Sequence, residues 1–146
     1  MRRSNFGRAA FGGVISAAND GSIVACWTSG KAVIPSGSGV GGLVDVNGGT
    51  ISRSYSLVRV GSDGGRSGGL VAFNLGTIER SFASGAVATT RGSSSFAGGL
   101  VGENSGQINN SFALAALHAR GEGCCAFGGL VGQSDAGASV NRTYAA

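Results

Sequence analysis

The sequence predicts an all-β fold, a parallel β-helix (β-solenoid) of about five turns with roughly 27–30 residues in each turn. Two observations carry this prediction. A pair of glycines recurs at a nearly constant interval, and the residues that follow each pair recur in the same order. The stretches between glycines are also short and rich in Val, Ile, Ser and aromatic residues, which is typical of strands and would interrupt a pair of helices.

The glycine pairs divide the chain into repeats. The pairs begin at Gly12, Gly41, Gly68, Gly98 and Gly128, with spacings of 29, 27, 30 and 30 residues. Two aliphatic residues follow each pair, as in Leu70-Val71. We therefore interpret residues 1–146 as a single β-solenoid repeat domain, with repeats that start near residues 12, 41, 68, 98 and 128.

Two columns follow the glycine pairs if equivalent residues of successive turns stack. The polar column consists of Asn19, Asn47, Asn74 and Asn104, with Asp135 in the last repeat. The aliphatic column consists of Ile23, Ile51, Ile78, Ile108 and Val140. We expect the aliphatic column to fill the interior and the Asn amides to hydrogen-bond in a row. Because Asn and Gly tolerate left-handed backbone, we expect each Asn-x-Gly element to form a corner of that conformation.

An aromatic column closes each repeat and consists of Trp27, Tyr55, Phe82, Phe112 and Tyr144. Strand alternation places the aromatic residue on the same face as Lys31 or Arg59, which would make an exposed strip able to stack on sugars or on a neighbouring filament. A bend at the aromatic residue would instead turn it inward. Since burial is the commoner fate of aromatic residues, we expect the interior position.

Three arginines define a candidate binding site. Arg53 and Arg80 occupy one repeat position in consecutive turns, and Arg142 returns to it in the fifth repeat. Cationic groups about 5 Å apart would suit an anionic partner such as an acidic glycan or lipopolysaccharide. An ordinary solvated corner is the interpretation we favour, because Ala25 and Asn110 occupy the same position in the other repeats.

Composition and spacing argue against other classes of function. The net charge of +4 comes from scattered basic residues, which predicts no nucleic-acid partner. The sequence contains no run of eighteen apolar residues, so no membrane span is predicted. Three cysteines, Cys26, Cys124 and Cys125, lack the spacing of a metal site. The carboxylates of Asp45, Asp63, Glu79, Glu103 and Glu122 fall at different repeat positions, and His118 is the one histidine. We therefore expect no catalytic residues, no metal and no cofactor.

The repeats resemble a known family. The segments "GGLVAFNLGTIERSFASGAV", from Gly68, and "GGLVGENSGQINNSFALAAL", from Gly98, are similar to the pattern GGLVGxNxGxIxxSYAxGxV of GLUG-motif repeats. Such repeats occur in filamentous-haemagglutinin-like and autotransporter adhesins. The resemblance implies a non-catalytic structural or adhesive module of a secreted or surface-attached bacterial protein. It also implies an extracellular or cell-surface location. Host or cell-surface glycans are the partners that the arginine and aromatic columns would suit.

The ends of the chain leave further alternatives open. Eleven residues before the first glycine pair and nineteen from the last pair onward together equal one turn, and neither end carries a recognisable cap. The chain is then a piece of a longer protein, which we favour, or a subunit that self-associates head to tail into a filament through uncapped solenoid ends. A fragment of a polysaccharide-acting β-helix enzyme is a third, less favoured alternative. The basic start of the chain loosely resembles a signal peptide, but Arg8 interrupts it and we favour a structural role.

Overall fold

The computed structural model describes residues 14–34, 39–90, 95–120 and 125–146, and these form strands wound into a coil, with no helix. The first coil contains β1 (Ser16–Asn19), β2 (Ser22–Val24), β3 (Trp27–Ile34) and β4 (Val40–Gly41). The second contains β5 (Val44–Asn47), β6 (Thr50–Ser52), β7 (Tyr55–Ser62) and β8 (Arg66–Gly68). The predicted β-solenoid is confirmed.

In the third and fourth coils the long strand is divided in two. The third coil contains β9 (Val71–Asn74), β10 (Thr77–Glu79), β11 (Phe82–Ala83), β12 (Ala86–Thr89) and β13 (Ser95–Gly98). The fourth contains β14 (Val101–Asn104), β15 (Gln107–Asn109), β16 (Phe112–Ala113), β17 (Ala116–Ala119) and β18 (Cys125–Gly128). The fifth adds β19 (Val131–Ser134), β20 (Ser139–Asn141) and β21 (Tyr144–Ala145). The described chain therefore makes four coils and the first three strands of a fifth.

Equivalent strands of successive coils pair in parallel and build four sheets. Sheet A contains β1, β5, β9, β14 and β19, and sheet B contains β2, β6, β10, β15 and β20. Sheet C begins with the long strands β3 and β7 and continues as two parallel branches, β11–β16–β21 and β12–β17. Sheet D contains β4, β8, β13 and β18.

The register of the sheets brings like residues together. The aliphatic column pairs Ile23 with Ile51, Ile51 with Ile78, Ile78 with Ile108, and Ile108 with Val140. The three central isoleucines are fully buried, whereas Val140 is 39% exposed because only one neighbouring coil covers it. No single coil buries its own apolar face, so stability depends on the contacts between coils.

The asparagines form the hydrogen-bonded row that the sequence predicts. Each amide nitrogen donates to the side-chain oxygen of the next coil at 2.8 Å, from Asn19 to Asn47, Asn47 to Asn74 and Asn74 to Asn104. In the fifth coil the register places Ser134, not Asp135, opposite Asn104. The assignment of Asp135 to this column was wrong because the fifth coil has two additional residues between Ser134 and the start of β20, and Asp135 belongs to that longer connection.

The left-handed backbone lies at a different corner from the one predicted. Positive φ angles of 47–53° occur at Ala25, Arg53, Arg80, Asn110 and Arg142, just before sheet C begins. Among the Asn-x-Gly glycines, only Gly137 has a positive φ. Gly76 is needed for space instead, since a Cβ there would lie 2.8 Å from the backbone of Gly48 in the preceding coil.

Inward-facing serines support the left-handed corners. Ser54 and Ser81 each donate from the hydroxyl to the carbonyl two residues earlier at 2.8 Å, which bridges the corner. The backbone N–H of Ser54 in turn donates to the hydroxyl of Ser81 in the next coil at 3.2 Å. The polar groups of the corner are thus paired within the wall of the solenoid, as buried polar groups require.

Two apolar clusters fill the coil. One lies between sheets A, B and the start of sheet C and is centred on Leu70, Ile78 and Leu100. The other lies between the rest of sheet C and sheet D and includes Val58 and Val60. The core is therefore two parallel rods of stacked side chains that run along the solenoid.

Differences in coil length are confined to two corners. The connection from sheet C to sheet D has three residues after β7 and five after β12. The connection from sheet A to sheet B has two residues in the first four coils and four in the fifth. The paired columns stay in register because the additional residues lie outside the strands.

Candidate functional site: the outer face of sheet C

The outer face of sheet C combines aromatic, aliphatic and basic side chains. Along β7, Ser56, Val58 and Val60 are buried, whereas the residues between them alternate to the outside. Lys31 pairs with Arg59 on this outer face. Leu57 and Leu114, both more than two-fifths exposed, lie near the aromatic column. One side of the solenoid therefore presents apolar and cationic groups together.

The aromatic column lies on this outer face, so the expectation that it fills the interior was wrong. The register pairs Trp27 with Tyr55, Phe82, Phe112 and Tyr144 in succession. The strand runs straight past the aromatic residue, so that the small neighbours Ser54 and Ser56 point inward in its place. The rings are half-buried by one another, apart from the terminal Tyr144, which is 57% exposed.

The rings stack face to face. Their centroids are 5.9 Å apart for Trp27 and Tyr55 and 4.8–5.1 Å apart for the following pairs, with interplanar angles of 3–7°. Each inner ring therefore has both faces covered and presents only its edge to solvent. Since stacking on a sugar needs a free ring face, the inner part of this column cannot act as the sugar-stacking strip considered from the sequence.

The arginine column lies at the left-handed corner that borders the aromatic column. Arg53, Arg80 and Arg142 are all exposed. Arg53 and Arg80 occupy consecutive coils, and Asn110 separates Arg80 from Arg142. A polar hollow at this corner is lined by Glu79, Asn109, Asn110, Asn141 and Arg142, and Asn141 donates to Asn109 at 3.3 Å. The column therefore offers guanidinium and amide groups to solvent.

Two further hollows occupy the other half of the outer face, beyond Leu57 and away from the arginine column. One is lined by Lys31, Val33, Arg59 and Ala88 among others, and the second by Arg59, Ala88, His118 and Arg120 among others. Each has a volume of about 430 Å³. Sequence reasoning missed these hollows because the residues that form them differ from coil to coil and leave no periodic signal.

The described carboxylates lie mainly on other faces. Arg66 forms an ion pair with Glu103 and lies over the ring of Phe73, 4.5 Å from its centroid. Burial raises the pKa of Asp45, and the charge of Arg66 partly opposes this. Hydrogen bonds from Ser105 and then Gln133 lower the pKa of Asp135. Arg66 of sheet D thus contacts residues of sheet A in the next two coils, and Asp135 lies beside Glu103 in the following coil.

The described residues contain no group of three or more His, Cys, Asp or Glu side chains placed to hold a metal ion. Within the same ranges, no helix has the length and apolarity needed to cross a bilayer. Cys26 lies in the column of inward serines and is half-buried, with its thiol donating to the carbonyl of Val24 at 3.4 Å. The first glycine pair, the basic N-terminal segment, Glu122, Cys124 and the Cys125 side chain lie outside the described residues.

The sequence matches no protein-family model, and a search of the curated proteins finds no relative.

Proposed function

We propose that this chain is a non-catalytic structural and adhesive module of a secreted or surface-attached bacterial protein. The observation that carries the proposal is the unbroken register of the aliphatic and aromatic columns through all five coils, together with the Asn row of the first four. Such a stack resists bending and unfolding through many equivalent contacts, which suits a spacer. The resemblance of the repeats to GLUG motifs supports an extracellular or cell-surface location.

The exposed arginine corner is the proposed adhesive element, with host or cell-surface glycans as its partners. Arg53 and Arg80 offer two guanidinium groups in consecutive coils, and such groups pair well with carboxylate and sulfate. Glu79 is the one described carboxylate that lines the hollow at this corner, which favours binding without hydrolysis, because glycoside hydrolysis canonically needs two carboxyl groups about 5–9.5 Å apart around one bond.

A glycan array with the full chain tests this proposal. We expect the unaltered chain to bind acidic glycans and the double variant Arg53→Gln/Arg80→Gln to lose this binding. The matched control, Lys31→Gln/Arg59→Gln, removes the same charge from elsewhere on the same side and is expected to keep it. Release of reducing ends from any bound polysaccharide would overturn the non-catalytic assignment, and equal loss in both double variants would overturn the assignment to the corner.

A head-to-tail filament subunit is the second candidate, and the terminal coils favour it. Val140 and Tyr144 of the fifth coil belong to the same columns as Ile23 and Trp27 of the first, and all four are at least partly exposed. If the first coil of a second copy stacked in register on the fifth coil, an aliphatic residue would therefore meet an aliphatic residue and an aromatic ring would meet an aromatic ring. Sedimentation over a concentration series separates the candidates, since continuous growth of the mass favours the filament and one small mass favours the module.

A further inference from the structure

One part of sheet C departs from the stacking of like on like. The column that begins with the paired Lys31 and Arg59 continues as Ala86 and Ala116. The adjacent outward column runs from Val33 through Gly61 and Ala88 to His118. Small residues thus lie between longer ones, and the surface between them is recessed.

The recess is continuous across the coils. The two hollows share Arg59, Ala88 and Thr90, so they form one elongated depression, here called the Arg59 trough. Its lining extends from Lys31 in the first coil to Arg120 in the fourth. Four strands at the usual spacing make it about 14 Å long in the direction of the solenoid axis.

The floor and the rim of the trough differ in chemistry. The floor consists of Gly61, Ala86 and Ala88, and the exposed side chain of Val33 forms an apolar wall at the first coil. The cationic groups lie around it, with Lys31 and Arg59 on adjacent coils and Arg120 at the far end.

These cationic groups have no anionic partner within the described ranges. The ion pair recorded there is Arg66–Glu103, outside the trough. Asp63 is the one described carboxylate that lines the trough, and it accepts a hydrogen bond from Thr90 at 3.2 Å. Positive charge is therefore in excess at the rim.

We propose that the Arg59 trough binds a free anionic amphiphile, with its head group at Lys31 and Arg59 and its alkyl chain along the apolar floor. A carboxylate or phosphate head is paired by the guanidinium, and each methylene placed on the floor is removed from water. A polysaccharide fits less well, because its hydroxyl groups would meet the alanine and valine side chains without hydrogen-bond partners. A concave recess also takes a single chain, whereas a bilayer contacts only the outermost side chains.

Titration of the full chain with dodecanoate, below its micelle concentration, tests the proposal by calorimetry. We expect saturable binding that weakens about tenfold in Arg59→Gln and in Ala88→Phe, which fills the trough from the outer face. The matched controls are Arg53→Gln, a cation outside the trough, and Ser84→Phe, an exposed residue outside it. Both are expected to bind like the unaltered chain, and circular dichroism checks that every variant is folded.

Three results would overturn the proposal. Dodecyl maltoside binding as tightly as dodecanoate would show that the charge is not recognised. Dextran sulfate binding that Ala88→Phe leaves unchanged, with no dodecanoate binding, would assign the cations to a polyanion. Adsorption to phosphatidylglycerol vesicles without binding of monomeric dodecanoate would assign them to a membrane surface.

Discussion

Replacement of Asn74 by aspartate is the most direct test of the amide row. Asn74 is fully buried, and its amide nitrogen donates to the Asn104 side chain at 2.8 Å and to the carbonyls of Gly76 and Gln107 at 3.2 and 3.4 Å. Its oxygen accepts from Asn47 at 2.8 Å. Asn74→Asp keeps the shape and the acceptor but removes the donor.

The size and pH dependence of the effect follow from these contacts. The amide has two N–H donors: one donates to Asn104, and the other is shared by the carbonyls of Gly76 and Gln107. At about 1 kcal/mol for each donor, their removal predicts a loss of roughly 2 kcal/mol in the free energy of unfolding. Burial also raises the pKa of the new carboxyl above its unfolded value of about 3.9, and each unit of that rise adds about 1.4 kcal/mol to the loss at neutral pH. A raised folded-state pKa means that the charge-related loss is absent below about pH 4 and grows until the folded pKa is passed.

Urea denaturation followed by circular dichroism between pH 4 and pH 8 measures this loss. The matched control is Asn109→Asp. Asn109 is half-buried on the outside, and within the described residues its side chain accepts one hydrogen bond, from Asn141 at 3.3 Å, and donates none. We expect this control to lose less than about 1 kcal/mol. A loss for Asn74→Asp that equals the control, or that does not change with pH, would refute the account of the amide row.

Four further substitutions probe three other features. Phe82→Ala removes two ring contacts and should lower the free energy of unfolding by about 2–3 kcal/mol, whereas Tyr144→Ala removes one and should cost about 1 kcal/mol. Equal losses in thermal melts would contradict this. Arg80→Gly relieves a left-handed φ of 47° and should raise stability by up to about 1 kcal/mol in urea, and a loss would mean that the Arg side chain stabilises the corner. Thr89→Val removes a buried hydroxyl that has no hydrogen-bond partner in the described ranges and should stabilise by about 1 kcal/mol, so destabilisation would reveal a partner.

The fold was predictable because equivalent residues recur at a fixed interval, and only stacked coils satisfy that recurrence everywhere at once. Ile51, Ile78 and Ile108 illustrate this, since their common position in the repeat becomes a common position in space. The amide row followed from the same reasoning, because Asn47 and Asn74 are one coil apart.

Side-chain orientation was less predictable, because the general preference of aromatic residues for burial and the alternation of side chains along the strand predict opposite faces for the aromatic column. Alternation along β7 places Tyr55 with Arg59 on the outside, and the structure obeys that alternation. The left-handed corner was missed because Arg53 and Arg80 are not residues that favour this backbone. Their conformation depends on the serine hydrogen bonds that follow them, and those depend on the neighbouring coil.

The Arg59 trough and the Arg66–Glu103 pair lay beyond sequence reasoning for a different reason. Each consists of residues from several coils that occur once, so no repeated spacing identifies them. A periodic sequence reports what is the same in every coil, whereas recognition depends on what differs between coils.

The confinement of length changes to two corners has a consequence for how such a chain can diversify. Residues added after β12 or after β19 leave the ladders on either side in place. Whole loops or foreign domains can therefore be inserted at these corners while the shaft keeps its shape, because insertions succeed where they do not disturb buried backbone. The paired strands of the solenoid are therefore a constant frame, and the two corners are where such chains can differ in length and content.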